Sequence, residues 1–124
     1  MNILNLPATG NTPAIHFDPE QGIFELTGIS IPENATEFYQ PVTAWLAQHL
    51  PLLKGAQAMD FRLIYFNSAS LKSIYLLLKE VKAARANGLA MTVRWYGDPD
   101  DDQLTETVDT FTDVLDMPME LILV

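Results

Sequence analysis

The centre of the chain reads Tyr65-Phe66-Asn67-Ser68-Ala69-Ser70-Leu71-Lys72, and the other predicted elements are arranged around this stretch. The apolar run that leads into it, Phe61 to Phe66, predicts a strand, and a helical pattern begins directly afterwards. Asn67, Ser68 and Ser70 therefore lie at a strand-to-helix corner. Free backbone N–H groups and the helix dipole favour a negative group at such a position, so a phosphorylated hydroxyl would be accommodated there.

The composition is that of a folded, acidic protein. Of its 124 residues 48% are hydrophobic and 19% charged, which predicts one domain, residues 1–124, rather than a disordered chain. The formal net charge of −9 excludes a nucleic-acid binder that relies on overall basicity, and it disfavours an anionic membrane surface. The absence of cysteine excludes disulfides and thiolate chemistry. We see no signal peptide and no membrane-inserting segment, and therefore expect a cytoplasmic protein.

Strands alternate with helices on both sides of the corner. Residues 1–11 read as a loosely held lead-in, after which we expect a β-hairpin (13–18 and 23–28), a helix from 34 to 50, a strand (61–66), a helix (68–87), a strand (89–96), a helix after the acidic loop and a last strand (119–124). The order ββαβαβαβ predicts an α/β fold with a mixed, mostly parallel sheet, right-handed crossovers and about three helices.

Two elements carry more specific expectations. Asn34 is a candidate N-cap of the first helix, with Glu37 three residues on in a capping-box arrangement. Pro41 lies within that helix and either kinks it or divides it. The strand at 61–66 has few polar residues, which is typical of a strand covered on both faces.

The hydroxyls of the corner have more than one interpretation. Ser68 and Ser70 can simply cap the second helix together with Asn67, since these residue types are strongly preferred there. Alternatively, one of them accepts a phosphoryl group, which Lys72 could then contact. A catalytic nucleophile would need a base, and the only two histidines stand in no recognisable hydrolase context.

Cofactor and metal sites have little support in the sequence. The acidic run from Asp98 to Asp102 lacks the spacing of a calcium loop and suits a solvated helix start. Two histidines without a cysteine make a transition-metal site improbable, and neither a glycine-rich phosphate loop nor a dinucleotide fingerprint occurs. We therefore expect no cofactor and no metal, and we favour a binding or regulatory module over an enzyme.

Several segments together resemble the SiaC family of bacterial regulatory phosphoproteins. They span most of the chain in the family's order, and the Pro-Glu-Asn and Asn-hydroxyl motifs are the most specific of them. The segments are 12–18, Gly22 to Gly28, Pro32-Glu33-Asn34 with 37–46, Tyr65 to Ser70 with Lys72, and Val93 with Trp95-Tyr96.

The resemblance implies a fold and a regulatory cycle. The fold would be STAS-like, as in antagonists of anti-sigma factors, and the protein would not be an enzyme. Members of the family are phosphorylated by a Ser/Thr kinase of GHKL type and dephosphorylated by a PP2C-like phosphatase. In the unphosphorylated state they bind a diguanylate cyclase and promote cyclic di-GMP synthesis. An anti-sigma factor antagonist is the alternative, and a small-ligand or hydrolase domain that uses Ser68 is a more distant one.

The resemblance also assigns residues. The family's phosphoacceptor falls on Ser68, with Ser70 as the alternative because this chain has Ser68-Ala69-Ser70 where members commonly have threonine followed by two serines. The partner-binding residues that it implies are Asn67, Ser68, Ser70, Lys72, Glu33 and Asn34.

Overall fold

The protein is a six-stranded sheet packed against three α-helices in a computed structural model that describes residues 2–124. A short 3₁₀ turn, Leu50–Leu52, follows the first helix. The elements are β1 (Leu4–Leu6), β2 (Ala14–Asp18), β3 (Ile23–Ser30), α1 (Ala35–His49), β4 (Ala56–Phe66), α2 (Ser68–Ala86), β5 (Ala90–Gly97), α3 (Asp102–Leu115) and β6 (Met119–Leu123).

The strands lie side by side in the order in which they occur in the chain. The first three pair antiparallel, and the pairs from β3 to β6 are parallel. The predicted mixed, mostly parallel sheet with an N-terminal hairpin and three helices is confirmed. Because neighbouring parallel strands are also consecutive in the chain, right-handed crossovers place all three helices on one face of the sheet.

The prediction that the central strand is covered on both faces is wrong. Phe61 and Leu63 are buried beneath the helices, whereas Arg62 and Ile64 between and beyond them are exposed on the other face. The side chain of Ile64 is 76% exposed. An apolar residue on the open face made the run in the sequence look continuous, which concealed the alternation of a strand with one covered face.

The open face of the sheet is held partly by charged side chains that pair between strands. Asp60 of β4 accepts two hydrogen bonds from Arg94 of β5, at 2.6 Å from Nε and 3.0 Å from a terminal nitrogen. Two residues further along each strand, the guanidinium of Arg62 lies 3.7 Å from the ring centroid of Tyr96. The charged side chains of the open face thus form a bidentate ion pair and a cation–π contact between neighbouring strands.

The N-terminal segment is more ordered than expected. Within the predicted lead-in 1–11, residues Leu4–Leu6 form β1 and pair antiparallel with β2, so that Leu4 lies opposite Phe17. Leu4 and Leu6 pack against the core. The chain therefore has one strand before the predicted ββαβαβαβ order, and three residues are too few for a periodic pattern to reveal it. Met1 lies outside the described residues.

Helix α1 is continuous through Pro41, so the proline does not divide it. The helix begins after Asn34, whose side-chain oxygen accepts a hydrogen bond from the N–H of Glu37 at 3.0 Å. The predicted N-cap is therefore confirmed. The Asn34 amide nitrogen also lies 3.4 Å from the Glu37 carboxylate, which completes a local pair at the first turn.

The core between sheet and helices contains two groups of aromatic rings. In one group, the rings of Phe17 and Phe24 lie 5.4 Å and 6.2 Å from that of Trp45, which fixes α1 on the N-terminal half of the sheet. In the other, Phe61 stacks on Trp95 with ring centroids 4.2 Å apart. Aromatic side chains bury large areas, so these two groups set the spacing between the layers.

The one-sided core gives a direct mutational test. We expect Phe61→Ala to lower the free energy of unfolding by about 3–5 kcal/mol, because it removes a fully buried ring and leaves a cavity. The matched variant Ile64→Ala, on the same strand but on the open face, should change it by less than about 0.5 kcal/mol. Urea denaturation measures both, and equal losses in the two variants would contradict a sheet with one open face.

Candidate functional site

The site lies where β4 ends and α2 begins. Asn67 is the N-cap of α2, with extended backbone angles (φ −100°, ψ 174°). Its side-chain oxygen accepts a hydrogen bond from the N–H of Ser70 at 2.9 Å, and its carbonyl accepts one from the N–H of Leu71 at 3.1 Å. The predicted strand-to-helix corner is therefore present, with Ser68 as the first helical residue.

The two candidate hydroxyls of the corner have opposite environments. Ser68 is exposed, and among residues 2–124 its hydroxyl has no hydrogen-bond partner. Ser70 is completely buried, and its hydroxyl donates to the carbonyl oxygen of Ser30 at 2.9 Å. Because successive helical residues are about 100° apart, two residues separated by one position point in nearly opposite directions. The helix thus presents one hydroxyl outward and the other inward.

The inward hydroxyl belongs to a buried chain of three hydroxyl groups. Ser30, at the end of β3, has its Oγ 2.8 Å from Ser70 Oγ and 2.6 Å from the hydroxyl of Tyr39 on α1. Ser70 donates its proton to the Ser30 carbonyl, and Ser30 donates its own to Ser70 Oγ. Each serine hydroxyl has one proton, so Tyr39 must be the donor to Ser30. Every proton in the chain therefore has one acceptor.

Nothing in the sequence indicates that Ser30 and Tyr39 belong to the site. Ser30 lies 40 positions before Ser70, and no local pattern connects residues so far apart. A signal for the burial of Ser70 was nevertheless available. Ser70 lies on the same helical stripe as Ile74 and Leu77, at i, i+4 and i+7, and all three are buried. That spacing already favoured Ser68 as the accessible hydroxyl.

The remaining predicted partner-binding residues are exposed and lie near the starts of two helices. Lys72 lies one turn along α2 from Ser68, on the same side of the helix. Glu33 and Asn34 precede α1, which begins at the same edge of the sheet as α2. The N–H of Asn67 donates to the carbonyl of Ser30 at 3.2 Å and so brings the two chain turns together. Within residues 2–124 no hydrogen bond or ion pair joins Glu33 or Lys72 to the corner.

Neither histidine is placed as a base for Ser68. His49 lies at the opposite end of α1 from the corner, stacked on Trp45 with ring centroids 4.2 Å apart, and its Nδ1 is 2.8 Å from the Trp45 carbonyl oxygen. His49 therefore packs in the core and caps the end of its own helix. His16 is half-buried in β2, where its pairing partner on β3 is Glu25. Within residues 2–124, neither histidine therefore lies where it could act as the base for Ser68.

Two open grooves flank the exposed side of α2. The groove between α1 and α2 has a volume of about 390 Å³ and includes Gln40, Thr43 and Leu76. The groove between α2 and α3 has a volume of about 440 Å³, and Lys72 and Glu106 contribute to it. The exposed side of α2, which begins at Ser68, therefore forms a ridge between two recesses.

The described part of the chain shows neither a metal site nor a membrane span. Across residues 2–124, no three His, Cys, Asp or Glu side chains are grouped so that they could hold a metal ion. No helix in that range is long and apolar enough to cross a bilayer.

The sequence model of a family described as SiaC family regulatory phosphoprotein matches residues 6–124. The chain belongs to the SiaC family of regulatory phosphoproteins. The resemblance found in the sequence is thus confirmed over nearly the whole chain. A protein of Pseudomonas aeruginosa strain UCBPP-PA14, named only as uncharacterized, is 29% identical to it over 121 residues, which are 98% of this chain and 96% of that protein.

Solved structures of SiaC share the fold. The crystal structure of apo-SiaC from Pseudomonas aeruginosa matches with a TM-score of 0.85 at 29% identity, over 98% of this chain and 99% of that one. A chain in the crystal structure of the diguanylate cyclase SiaD in complex with its activator SiaC, from the same organism, matches with a TM-score of 0.88 at 28% identity, with the same coverage. The SiaC fold therefore extends over essentially all of this chain.

The N-cap is the first feature of the site to test. Asn67→Ala removes the acceptor for the Ser70 N–H and should lower the free energy of unfolding by about 1 kcal/mol. Asn67→Ser retains a capping oxygen and should cost only a few tenths of that amount. Chemical denaturation compares the two variants with wild type, and an equal loss in both would contradict a stabilising role for the cap.

The buried Tyr39 predicts a loss of stability at alkaline pH. Burial raises the pKa of Tyr39 to about 12, and the hydrogen bond with Ser30 acts in the opposite direction. A tyrosine of the unfolded chain ionises near pH 10, so between about pH 10 and 12 the unfolded state releases a proton that the folded state keeps. The free energy of unfolding should therefore fall as the pH rises through this range.

Tyr39→Phe removes the ionising hydroxyl, so the pH dependence of its denaturation midpoint between about pH 9 and 12 should be flatter than that of wild type. Parallel curves for the two proteins would show that Tyr39 does not contribute to the alkaline loss.

Proposed function

We propose that the unphosphorylated chain binds a diguanylate cyclase and increases its synthesis of cyclic di-GMP, and that phosphorylation of Ser68 prevents this binding. The observation that carries the proposal is the match over 98% of this chain to a structure of SiaD bound to its activator SiaC. The exposed hydroxyl at the start of α2 supports the choice of switch residue. The protein would thus act through a partner rather than catalyse a reaction itself.

Accessibility favours Ser68 over Ser70 as the phosphoacceptor. A kinase must bring the acceptor oxygen into its own active site, in line with the γ-phosphate of ATP. Ser68 Oγ is exposed, whereas Ser70 Oγ has no exposed surface and is engaged with Ser30. Phosphate on Ser70 would also place a dianion in the core, at a large desolvation cost.

The start of α2 is suited to carry the phosphate once it is attached. The first backbone N–H groups of a helix have no acceptor within the helix, and the dipole is positive at this end. Lys72, one turn further along the same side, adds a cation within reach of the phosphate oxygens. Phosphorylation adds about −1.5 to −2 charges, and such a group at a helix start stabilises it by roughly 0.3–1 kcal/mol. The phosphorylated protein should therefore remain folded.

The charge of the phosphate should weaken binding of the partner. In the unphosphorylated state the ridge of α2 and its two grooves offer a partner a surface that is neutral at Ser68. A partner that covers Ser68 would have to strip water from the phosphate dianion, which costs several kcal/mol unless a cation faces it. A loss of about 4 kcal/mol weakens a complex roughly a thousandfold, enough to abolish micromolar binding.

The enzymes that set the phosphorylation state complete the cycle. We propose a Ser/Thr kinase of GHKL type and a PP2C-like phosphatase, acting in the cytoplasm where ATP is available. Both need the acceptor at an accessible position, and Ser68 and the neighbouring Ala69 are both exposed. Phosphorylation would release the cyclase, and dephosphorylation would restore the binding-competent surface.

The decisive experiment compares wild type and Ser68→Ala after incubation with ATP and the candidate kinase. Intact-mass and peptide mass spectrometry should show one phosphate on Ser68 of the wild type and none on the variant. Fully phosphorylated wild type should bind the cyclase at least a hundredfold more weakly than the unmodified protein, while unmodified Ser68→Ala should bind at close to wild-type affinity. Titration calorimetry measures the affinity, and product formation by the cyclase reports its activation.

Thr27→Ala is a suitable control, since Thr27 is an exposed hydroxyl on the open sheet face, away from the helices. It should be phosphorylated and should bind like wild type. Phosphate on Ser70 would move the switch residue, and equal cyclase affinity of the phosphorylated and unmodified proteins would overturn the switch. Binding to an anti-sigma factor, with no binding to any cyclase, would assign the output to sigma-factor control.

A further inference from the structure

Ser30 is the residue through which three parts of the fold meet at the corner. It is the last residue of β3, it is completely buried, and it takes part in four hydrogen bonds that hold other elements. Its carbonyl accepts from the N–H of Asn67 and from Ser70 Oγ, and its hydroxyl joins Ser70 to Tyr39 on α1. The N-cap of α2 and the second residue after Ser68 are thus both fixed to one strand end.

We propose that Ser30 and Tyr39 are positioning residues for the phosphoacceptor: their buried hydroxyl chain with Ser70 holds the first turn of α2 in the conformation that presents Ser68 to the kinase. The inference rests on the proposed function, because it assigns roles in the modification of Ser68. Neither residue touches the kinase or the phosphate, since both side chains are buried. They act through Ser70 and the backbone of the first turn.

The geometry explains why the first turn needs such support. The start of a helix frays readily, because its first N–H groups lack partners within the helix. The N-cap hydrogen bond from Ser70 N–H to the Asn67 side chain joins two residues of the same turn, so it does not attach the turn to the sheet. The turn is fixed relative to the sheet by Ser70 Oγ and Asn67 N–H, which donate to the Ser30 carbonyl, and by the Ser30 hydroxyl, which donates to Ser70 Oγ and so holds that side chain in place. Of these three bonds, Ser30→Ala keeps the two to the carbonyl and removes only the hydroxyl bond. The direction in which Ser68 points therefore depends on Ser30.

Tyr39 is the first donor in the same chain of hydroxyl hydrogen bonds. Ser30 Oγ has its only proton directed to Ser70 when it accepts from Tyr39. Tyr39→Phe removes that donor and keeps the ring, so it leaves the Ser30 hydroxyl free to rotate. Ser30→Ala removes both hydroxyl contacts at once and leaves the buried Tyr39 hydroxyl without its acceptor. A positioning role therefore predicts a graded effect, larger in Ser30→Ala than in Tyr39→Phe.

A displaced first turn should change the apparent KM of the kinase for this protein. If only a fraction of the substrate protein has the first turn in place, the apparent KM of the kinase for that protein rises by the inverse of the fraction, and kcat is retained. Loss of a typical buried hydrogen bond corresponds to about a fivefold change in such an equilibrium. Because the turn is in place in most wild-type molecules, a fivefold change in this equilibrium raises KM by less than about fivefold. Ser30→Ala removes two hydroxyl contacts and leaves the Tyr39 hydroxyl without its acceptor, so we expect it to raise KM about twofold with kcat close to wild type, and Tyr39→Phe to raise KM by less.

Hydrogen exchange supplies a readout that does not need the kinase. Amides of residues 69–71 in the full-length unphosphorylated protein should exchange about fivefold faster in Ser30→Ala, whereas amides in the middle of α3 should change no more than global stability requires. Val108→Ala is the matched control, because Val108 is buried in α3 and none of the hydrogen bonds among the three hydroxyls involves that helix. It should lower global stability while leaving both the exchange at the corner and the KM close to wild type.

The outcomes separate the inference from the function on which it rests. A wild type that the active kinase does not phosphorylate would overturn the proposed function, and the positioning role with it. Phosphorylation of wild type together with unchanged KM and unchanged exchange in Ser30→Ala would overturn the positioning role alone. A similar rise in KM in Val108→Ala would reduce the effect to general destabilisation and would also overturn it. Should Ser30→Ala fail to fold, Tyr39→Phe decides by the same two measurements.

Discussion

A strand and its parallel neighbour can be consecutive in the chain only through a crossover, and the twist of the polypeptide permits that crossover on one side. In this protein β3 to β6 are all related in this way. The consequence is a two-layer molecule, with all helices and the core on one face and charged pairs such as Arg94 and Asp60 on the other. The same constraint brings the starts of the helices to one edge of the sheet.

That edge is where the proposed regulatory site lies, and its construction follows from helix geometry. A hydroxyl at the first helical position points to solvent, and the one two residues later points into the core. The inward hydroxyl of Ser70 is hydrogen-bonded by the end of the preceding parallel strand. The outward hydroxyl of Ser68 is left accessible, as the proposed phosphorylation requires. Two serines that look equivalent in the sequence thus have opposite environments, one buried and one exposed.

The electrostatics of the corner suit the proposed phosphorylation switch, because an added phosphate would alter partner binding without unfolding the protein. A helix start tolerates an added phosphate, and Lys72 lies one turn away on the same side. On the proposed function, a partner surface without a cation opposite Ser68 would have to desolvate the phosphate, so the group that the helix start accommodates would be costly in a complex. The whole chain has a formal net charge of −9, which favours partners with positive or polar surfaces. One further negative charge therefore matters most where it lies within the contact itself.

The sequence by itself determined the features that depend on neighbouring residues. The corner at Asn67, the cap at Asn34 and the alternation of strands with helices follow from local propensity and periodicity, and the SiaC resemblance rests on motifs of the same short range. Only the tertiary structure decided that β1 pairs with β2, that β4 has an open face and that Ser70 is held by Ser30 and Tyr39. Each of these depends on strand neighbours or on contacts across some 40 residues, and no local pattern records which distant groups the crossovers bring together.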